Sequence, residues 1–117
     1  MYDSFLSMGH YATGDVVLAP FRFRSGDIGK VRPVVVIATG KDGMLTVCPV
    51  SRCRPARMAF LPVSLGDFDR GGLDLLDESC VLTGSPCRIS VSDIIELKGR
   101  LTDTMTAEIL AVVPRII

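Results

Sequence analysis

No stretch of the 117-residue chain approaches the roughly 18 consecutive apolar residues that a membrane-spanning helix needs. Residues 1–13 lack the basic start and apolar stretch of a secretory signal, so the protein is expected to stay in the cytoplasm. Its four cysteines, Cys48, Cys53, Cys80 and Cys87, fall in C-x4-C and C-x6-C pairs, outside the tight spacings of structural zinc sites. Reduced thiols, with no metal and no cofactor, are the expectation. Histidine is nearly absent: His10, the only one, reads as a surface residue, although an ordinary pKa of about 6.5 would suit acid–base work if residues 1–13 folded over a site. Repeats, low-complexity tracts and Ser/Gly/Pro linkers are also missing, and the length allows one core but not two. The chain therefore divides into a lead, residues 1–13, and one domain, residues 14–117.

What is present is a globular composition, 48% hydrophobic and 22% charged. The formal charge is zero but unevenly spread. Residues 1–60 carry eight Lys or Arg against four Asp, and residues 61–117 carry five against nine acids. The first half is where an anionic partner would bind.

Most of the pattern is β. Gly14-Asp15 opens Val16-Val17-Leu18-Ala19-Pro20-Phe21, a first strand with an edge or bend near Pro20. Residues 22–31 read as a long loop. Phe21 and Phe23 flank Arg22 in alternation; Phe21 suits the core, and Phe23 is a candidate to stack on bases. Pro33-Val34-Val35-Val36-Ile37-Ala38 is continuously apolar and β-branched, as in a central strand covered on both faces. Gly40-Lys41-Asp42-Gly43 supplies a hairpin turn, and residues 44–50 return as the third strand. Further strands are expected at 59–63, 80–82 and 94–101, with loop or short helix at 65–78 and a polar connection after Gly84-Ser85-Pro86. Short, closely spaced strands argue for a small closed or half-closed barrel. Only residues 103–113 look helical, capped by Thr102, with Met105, Ile109, Val112 and Val113 as the core-facing stripe and Pro114 as the stop.

Basic residues gather at one expected rim. Arg22, Arg24, Lys30 and Arg32 surround a single acid, Asp27, and Ser51, Arg52, Arg54 and Arg57 follow the third strand. Pairing through the Asp42-Gly43 turn sets Arg32 beside Ser51. Arginine forks bind phosphate bidentately and keep their charge, which suits gripping an RNA backbone and stabilising a phosphorane-like transition state. Solvated arginines at strand ends are the plain alternative.

The order Gly14-Asp15-Val16-Val17, then Val31-Arg32-Pro33-Val34-Val35-Val36-Ile37, then Cys48-Pro49-Val50-Ser51 resembles the opening of the PemK/MazF toxin family. Gly71-Gly72-Leu73, Ser79-Cys80-Val81-Leu82 and Leu97-Lys98-Gly99-Arg100-Leu101-Thr102 continue the likeness. The resemblance implies a mainly β fold with a C-terminal helix, an SH3-like small barrel, assembled as a homodimer and held inactive by a cognate antitoxin. It implies an mRNA interferase, a sequence-specific endoribonuclease that cuts single-stranded RNA without a metal, leaving a 2′,3′-cyclic phosphate and a 5′-hydroxyl. By the same resemblance Arg32 stabilises the phosphate and can protonate the leaving oxygen, Ser51 positions the phosphate, and Asp27 stands where the family has a loop glutamate, as the general base.

The chain departs from the family where some members have a histidine (Gly26), an aspartate (Gly84) or an arginine (Leu82). Arginine alone is a poor base at neutral pH. Two other readings therefore stay open: a non-catalytic small-barrel module that binds nucleic acid through the same rim, and a gyrase-poisoning toxin.

Overall fold

Val34, Val35, Val36 and Ile37 are all buried, and alternate members serve different cores. Val35 and Ile37 pack with Val16, Cys48, Val50, Leu101, Met105 and Ile109, whereas Val34 and Val36 pack with Val17, Ala19, Phe21, Leu45, Val47 and Ile89. A strand with two apolar faces must be covered twice, and the rest of the fold supplies the covers. A computed structural model describes residues 11–21, 29–52, 59–71 and 79–113. Its elements are β1 (Asp15–Phe21), β2 (Lys30–Thr39), β3 (Met44–Ser51), β4 (Leu61–Val63), β5 (Phe68–Gly71), β6 (Ser79–Val81), β7 (Cys87–Ser90), β8 (Glu96–Leu101) and α1 (Asp103–Val112). The strands run β4-β6-β3-β2-β1-β8-β5 in one antiparallel sheet, with β7 also on β3. The fold is mainly β, a curled half-barrel with one C-terminal helix.

The β2–β3 hairpin turns as its sequence demands. Gly40 N–H donates to Met44 O (2.9 Å), Met44 N–H donates to the Asp42 carboxylate (3.1 Å), and Gly43 takes φ +79°. The Met44 N–H is the main cause that holds the Asp42 carboxyl below its ordinary value. β3 has β2 along one edge and shares the other between β7 (residues 44–47) and β6 (residues 50 and 51). β1 loses β8 after Leu18, whose carbonyl accepts from Ile95 N–H at 2.8 Å. Pro20 points its N-side to that vacated edge, so its missing donor leaves no gap in the ladder.

Several boundaries differ from the sequence reading. β2 begins at Lys30, so Lys30, Val31 and Arg32 are strand and not loop. β5 lies in the segment expected as loop or helix, and β7 in the expected polar connection. Both are four-residue strands held by backbone pairing to β8 and β3, and neither leaves a long side-chain pattern. The strand expected at 59–63 is Leu61–Val63, that at 80–82 is Ser79–Val81, and that at 94–101 starts at Glu96 after a 3-10 turn, Val91–Asp93. In α1 the Thr102 hydroxyl accepts from Met105 N–H (3.1 Å), and Met105 and Ile109 are buried. Val112, expected in the same stripe, is 51% exposed, whereas Val113 packs against the cluster of Met105 and Ile109. No helix among the described residues is long and apolar enough to cross a membrane.

Gly14-Asp15 is a structural corner. Gly14, at φ +101°, donates to Val36 O (2.8 Å) and accepts from Leu101 N–H (2.9 Å), and a Cβ there would lie 2.7 Å from Thr106 Oγ1. The buried Asp15 carboxylate accepts from Arg100 Nη1 (2.9 Å) and from Ala12 N–H (2.9 Å). Asp15→Ala strands Ala12 N–H and the Arg100 guanidinium, whose 39% exposure softens the loss. The expected cost is about 2 kcal/mol in urea unfolding. A change under about 0.5 kcal/mol, the usual effect of a plain surface substitution, would remove this corner's assigned role.

Candidate functional site

Three consecutive strands bring the basic rim together. β1 and β2 pair without interruption, which sets Arg32 opposite Ala19 and Lys30 opposite Phe21. β2 and β3 pair at Val34↔Pro49, and two further residues in that register set Arg32 across from Ser51. Alternation fixes the face: Arg32 follows Val34 and Val36, and Ser51 follows Val47 and Pro49, so both belong to the side packed by Phe21, Val34, Val36 and Val47. Both side chains are half-buried, and Arg32 Nε is sealed from solvent. The Ser51 backbone pairs with Cys80 of β6, so the hydroxyl stands on a strand fastened along its outer edge.

Lys30 and Arg52 are exposed at the same end of the β2–β3 ladder and add their charges to Arg32. The far end carries the Arg88–Asp42 ion pair (2.9 Å), and the β8 cations are matched by acids, Lys98 by Glu96 (3.3 Å) and Arg100 by Asp15 (2.9 Å). Arg22, Phe23, Arg24, Asp27, Arg54 and Arg57, with Gly26 and His10, lie outside the described residues. Of the other departures from the family, Gly84 is exposed in the turn after β6, donating to Ala59 O (3.2 Å), and Leu82 is buried.

Cys48, three residues before Ser51, faces the opposite core with Val35 and Ile37. Burial pushes its thiol up to about 12, so it stays protonated at neutral pH and takes no part at the rim. Cys48, Cys80 and Cys87 are free thiols, and Cys53 lies outside the described residues.

Sequence reasoning gave residues 87–93 no role, yet they wall a cleft of about 420 Å³ beside the end of β1, lined by Phe21, Met44, Arg88, Ile89, Ser90 and Asp93 among others. The only signal was Arg88 and Ser90 alternating with Cys87 and Ile89, too brief to mark a strand.

Fold and rim together define a small β half-barrel protein with a C-terminal helix and cationic strand ends. Residues 12–117 match the family described as "PemK-like, MazF-like toxin of type II toxin-antitoxin system", and the chain belongs to that family. Among solved structures it is similar to the Mycobacterium tuberculosis toxin MazF-mt6, at 20% identity and a TM-score of 0.58, over 83% of this chain and 88% of that one. At this identity the likeness concerns the fold. No curated protein matches the chain.

Cys48 gives a direct check on the two-faced packing. Between pH 7 and 10, alkylation of the folded protein should leave Cys48 unmodified while the half-buried Cys87 reacts, and unfolding should expose both to mass-spectrometric labelling. Because the folded value is raised above 9.0, this thiol's contribution to stability is complete below pH 9 and declines as pH climbs toward 12. Native labelling of Cys48 as fast as Cys87 would contradict the burial.

Proposed function

We propose that this chain is the toxin of a type II toxin–antitoxin system and acts in the cytoplasm, as a homodimer, as a metal-independent endoribonuclease on single-stranded RNA. The observation that carries this is the register that gives Arg32 and Ser51 one shared face at an accessible rim. Family membership supports it, since a toxin of a type II system has a cognate antitoxin partner.

In this reading Arg32 grips the scissile phosphate with its fork, and the Ser51 hydroxyl donates to a second phosphate oxygen. Asp27 takes the proton of the ribose 2′-hydroxyl as that oxygen bonds to phosphorus. The bond from phosphorus to the 5′-oxygen breaks, and Arg32 or water protonates the leaving oxygen, giving a 2′,3′-cyclic phosphate and a 5′-hydroxyl end. The partly enclosed Arg32 stabilises the extra phosphorane charge better than a solvated cation would. Lys30 and Arg52 hold the neighbouring phosphates, as do Arg22, Arg24, Arg54 and Arg57, and Phe23 stacks on a base.

A second reading, RNA binding without cleavage, is favoured by Leu82 and Gly84, which put a core residue and a bare turn where family members carry charged groups.

Incubating the purified protein with a mixed RNA pool in EDTA decides between them. Cleavage should yield fragments ending in 2′,3′-cyclic phosphate, and Arg32→Ala should lower the rate by about 10²- to 10³-fold. Arg32→Lys should also lose most activity because it cannot form the bidentate fork, and Ser51→Ala should cost about tenfold. Retained RNA binding with no fragments would leave the binding reading, and full activity in Arg32→Ala would overturn the assigned site.

A further inference from the structure

β8 has strand neighbours along its whole length on one side and along only half of it on the other. β1 runs beside Glu96 to Arg100, whereas β5 pairs with Gly99, Arg100 and Leu101 alone. β5 ends at Gly71, where a φ of +72° takes the chain out of the extended conformation and a Cβ would collide with Lys98 O. Among the described residues no strand pairs with the outer edge of Glu96, Leu97 and Lys98. Ile95 N–H donates inward to Leu18 O (2.8 Å), so the residue after it turns its backbone groups outward. Open edge groups of this kind are a template for an added strand.

The side chains beside this edge are apolar and uncovered. Ile95 and Leu97, two residues apart, are 58% and 52% exposed, although Leu97 pairs with the fully buried Val17.

Charge on the same face is one-sided. Asp15 and Val17 share a face of β1, so their partners Arg100 and Leu97 share it too, the extra residue at Lys98 restoring the phase. Arg70 stands directly across from Arg100. The one carboxylate beside this pair is the buried Asp15, which Arg100 already holds at 2.9 Å. Arg70 is exposed, and no carboxylate among the described residues pairs with it. Like charges directly opposite in a ladder repel, so an anion placed beside them is stabilising. Leu97 lies two ladder steps from Arg100, about 7 Å.

We infer that the outer edge of β8 is a docking site for an acidic, extended segment of a partner protein, which adds as a strand beside residues 96–98. The segment's backbone pairs with the open edge, one of its apolar side chains covers Leu97, and a carboxylate meets Arg70. A nucleic acid would satisfy the guanidinium pair but would leave the aliphatic side chains and the edge backbone unmatched. None of these residues belongs to the rim, so the site does not depend on the nuclease reading.

The probe is a short fluorescein-labelled peptide of alternating valine and aspartate, read by fluorescence anisotropy, with lysine for aspartate in one control and a central proline in another. The acidic peptide should bind about tenfold tighter than either control. Arg70→Glu should weaken it about tenfold and Leu97→Ser about fivefold, with thermal melts confirming that these exposed substitutions leave the fold intact. Hydrogen exchange in the complex should slow at the amides of residues 96–98. Equal binding of the lysine peptide, no effect of either substitution, or protection confined to other strands overturns the inference. So does an absence of binding at about 1 mM peptide. An oligouridine that Arg70→Glu weakens as much as it weakens the peptide would assign the guanidinium pair to nucleic acid. Protection of residues 96–98 without peptide, together with a doubled mass in sedimentation, would give the edge to a second copy of the chain. Either outcome sinks the peptide site.

Discussion

The two-sided cover of β2 and β3 is the constraint on which the rest depends. Because side chains alternate faces with a period of two, a slip of one residue between these strands would exchange the residues of both cores at once. The register is therefore locked by the burial of Val34 and Val36 on one side and of Val35 and Ile37 on the other. A bulge complicates this lock in an instructive way. On the turn side Thr39 pairs with Leu45 and Ala38 with Thr46, but beyond Ile37 Val36 pairs with Val47 and Val34 with Pro49. Had the turn-side register continued, Arg32 would face Arg52, and Ser51 would face Pro33 on the helix-covered side. The extra residue at Ile37 shifts the ladder by one and gives Arg32 and Ser51 a common face. The placement of Arg32 beside Ser51 is thus set by a packing event five residues away.

Electrostatics follows from the same framework. Net charge is zero, but its distribution along the sheet is ordered. Arg88, Lys98 and Arg100 meet carboxylates at the turn end and along β8, while Lys30, Arg32 and Arg52 cluster where β2 starts and β3 ends. These ion pairs do different amounts of work. Exposed Arg88–Asp42 contributes little free energy and mainly orients a side chain. Arg100–Asp15 acts on a buried carboxylate that also accepts from the Ala12 N–H, so it ties β8 to the entry of β1.

What could be read from the sequence was whatever leaves a side-chain period or a required turn residue. The apolar run at 33–38, the Asp42-Gly43 turn and the Thr102 cap all belong to that class, and Arg32 and Ser51 stood out as residues at strand ends, though their exact register rests on the bulge. β5 and β7 do not. They are short edge elements whose stability comes from backbone bonds to β8 and β3, and Asp69, Arg70 and Arg88 on them resemble loop charges. The bulge at Ile37 was equally silent, since an inserted residue in an apolar run looks like the run itself. Val112 misled for a different reason: the packed line runs through Met105, Ile109 and Val113, four residues apart, and Val112 lies at its margin. Asp15 passed as part of a family signature, although its carboxylate has a structural role that only the fold reveals.

Rim and cleft share a support, and this bears on how the protein tolerates change. Phe21 and Ile89 are at once the floor of the cleft and members of the cluster that buries Val34 and Val36, two and four residues from Arg32. Close-packed interiors transmit displacement rather than absorb it. A smaller side chain at Ile89 would therefore loosen the cleft and disturb the strand that carries Arg32. The cleft floor and the strand that carries Arg32 are mechanically joined through this cluster. Substitutions on the exposed wall, at Arg88 or Asp93, alter hydrogen bonding without opening a cavity in the core. The outer wall can therefore change through β7 and the turn after it while the β1–β2–β3 ladder stays fixed.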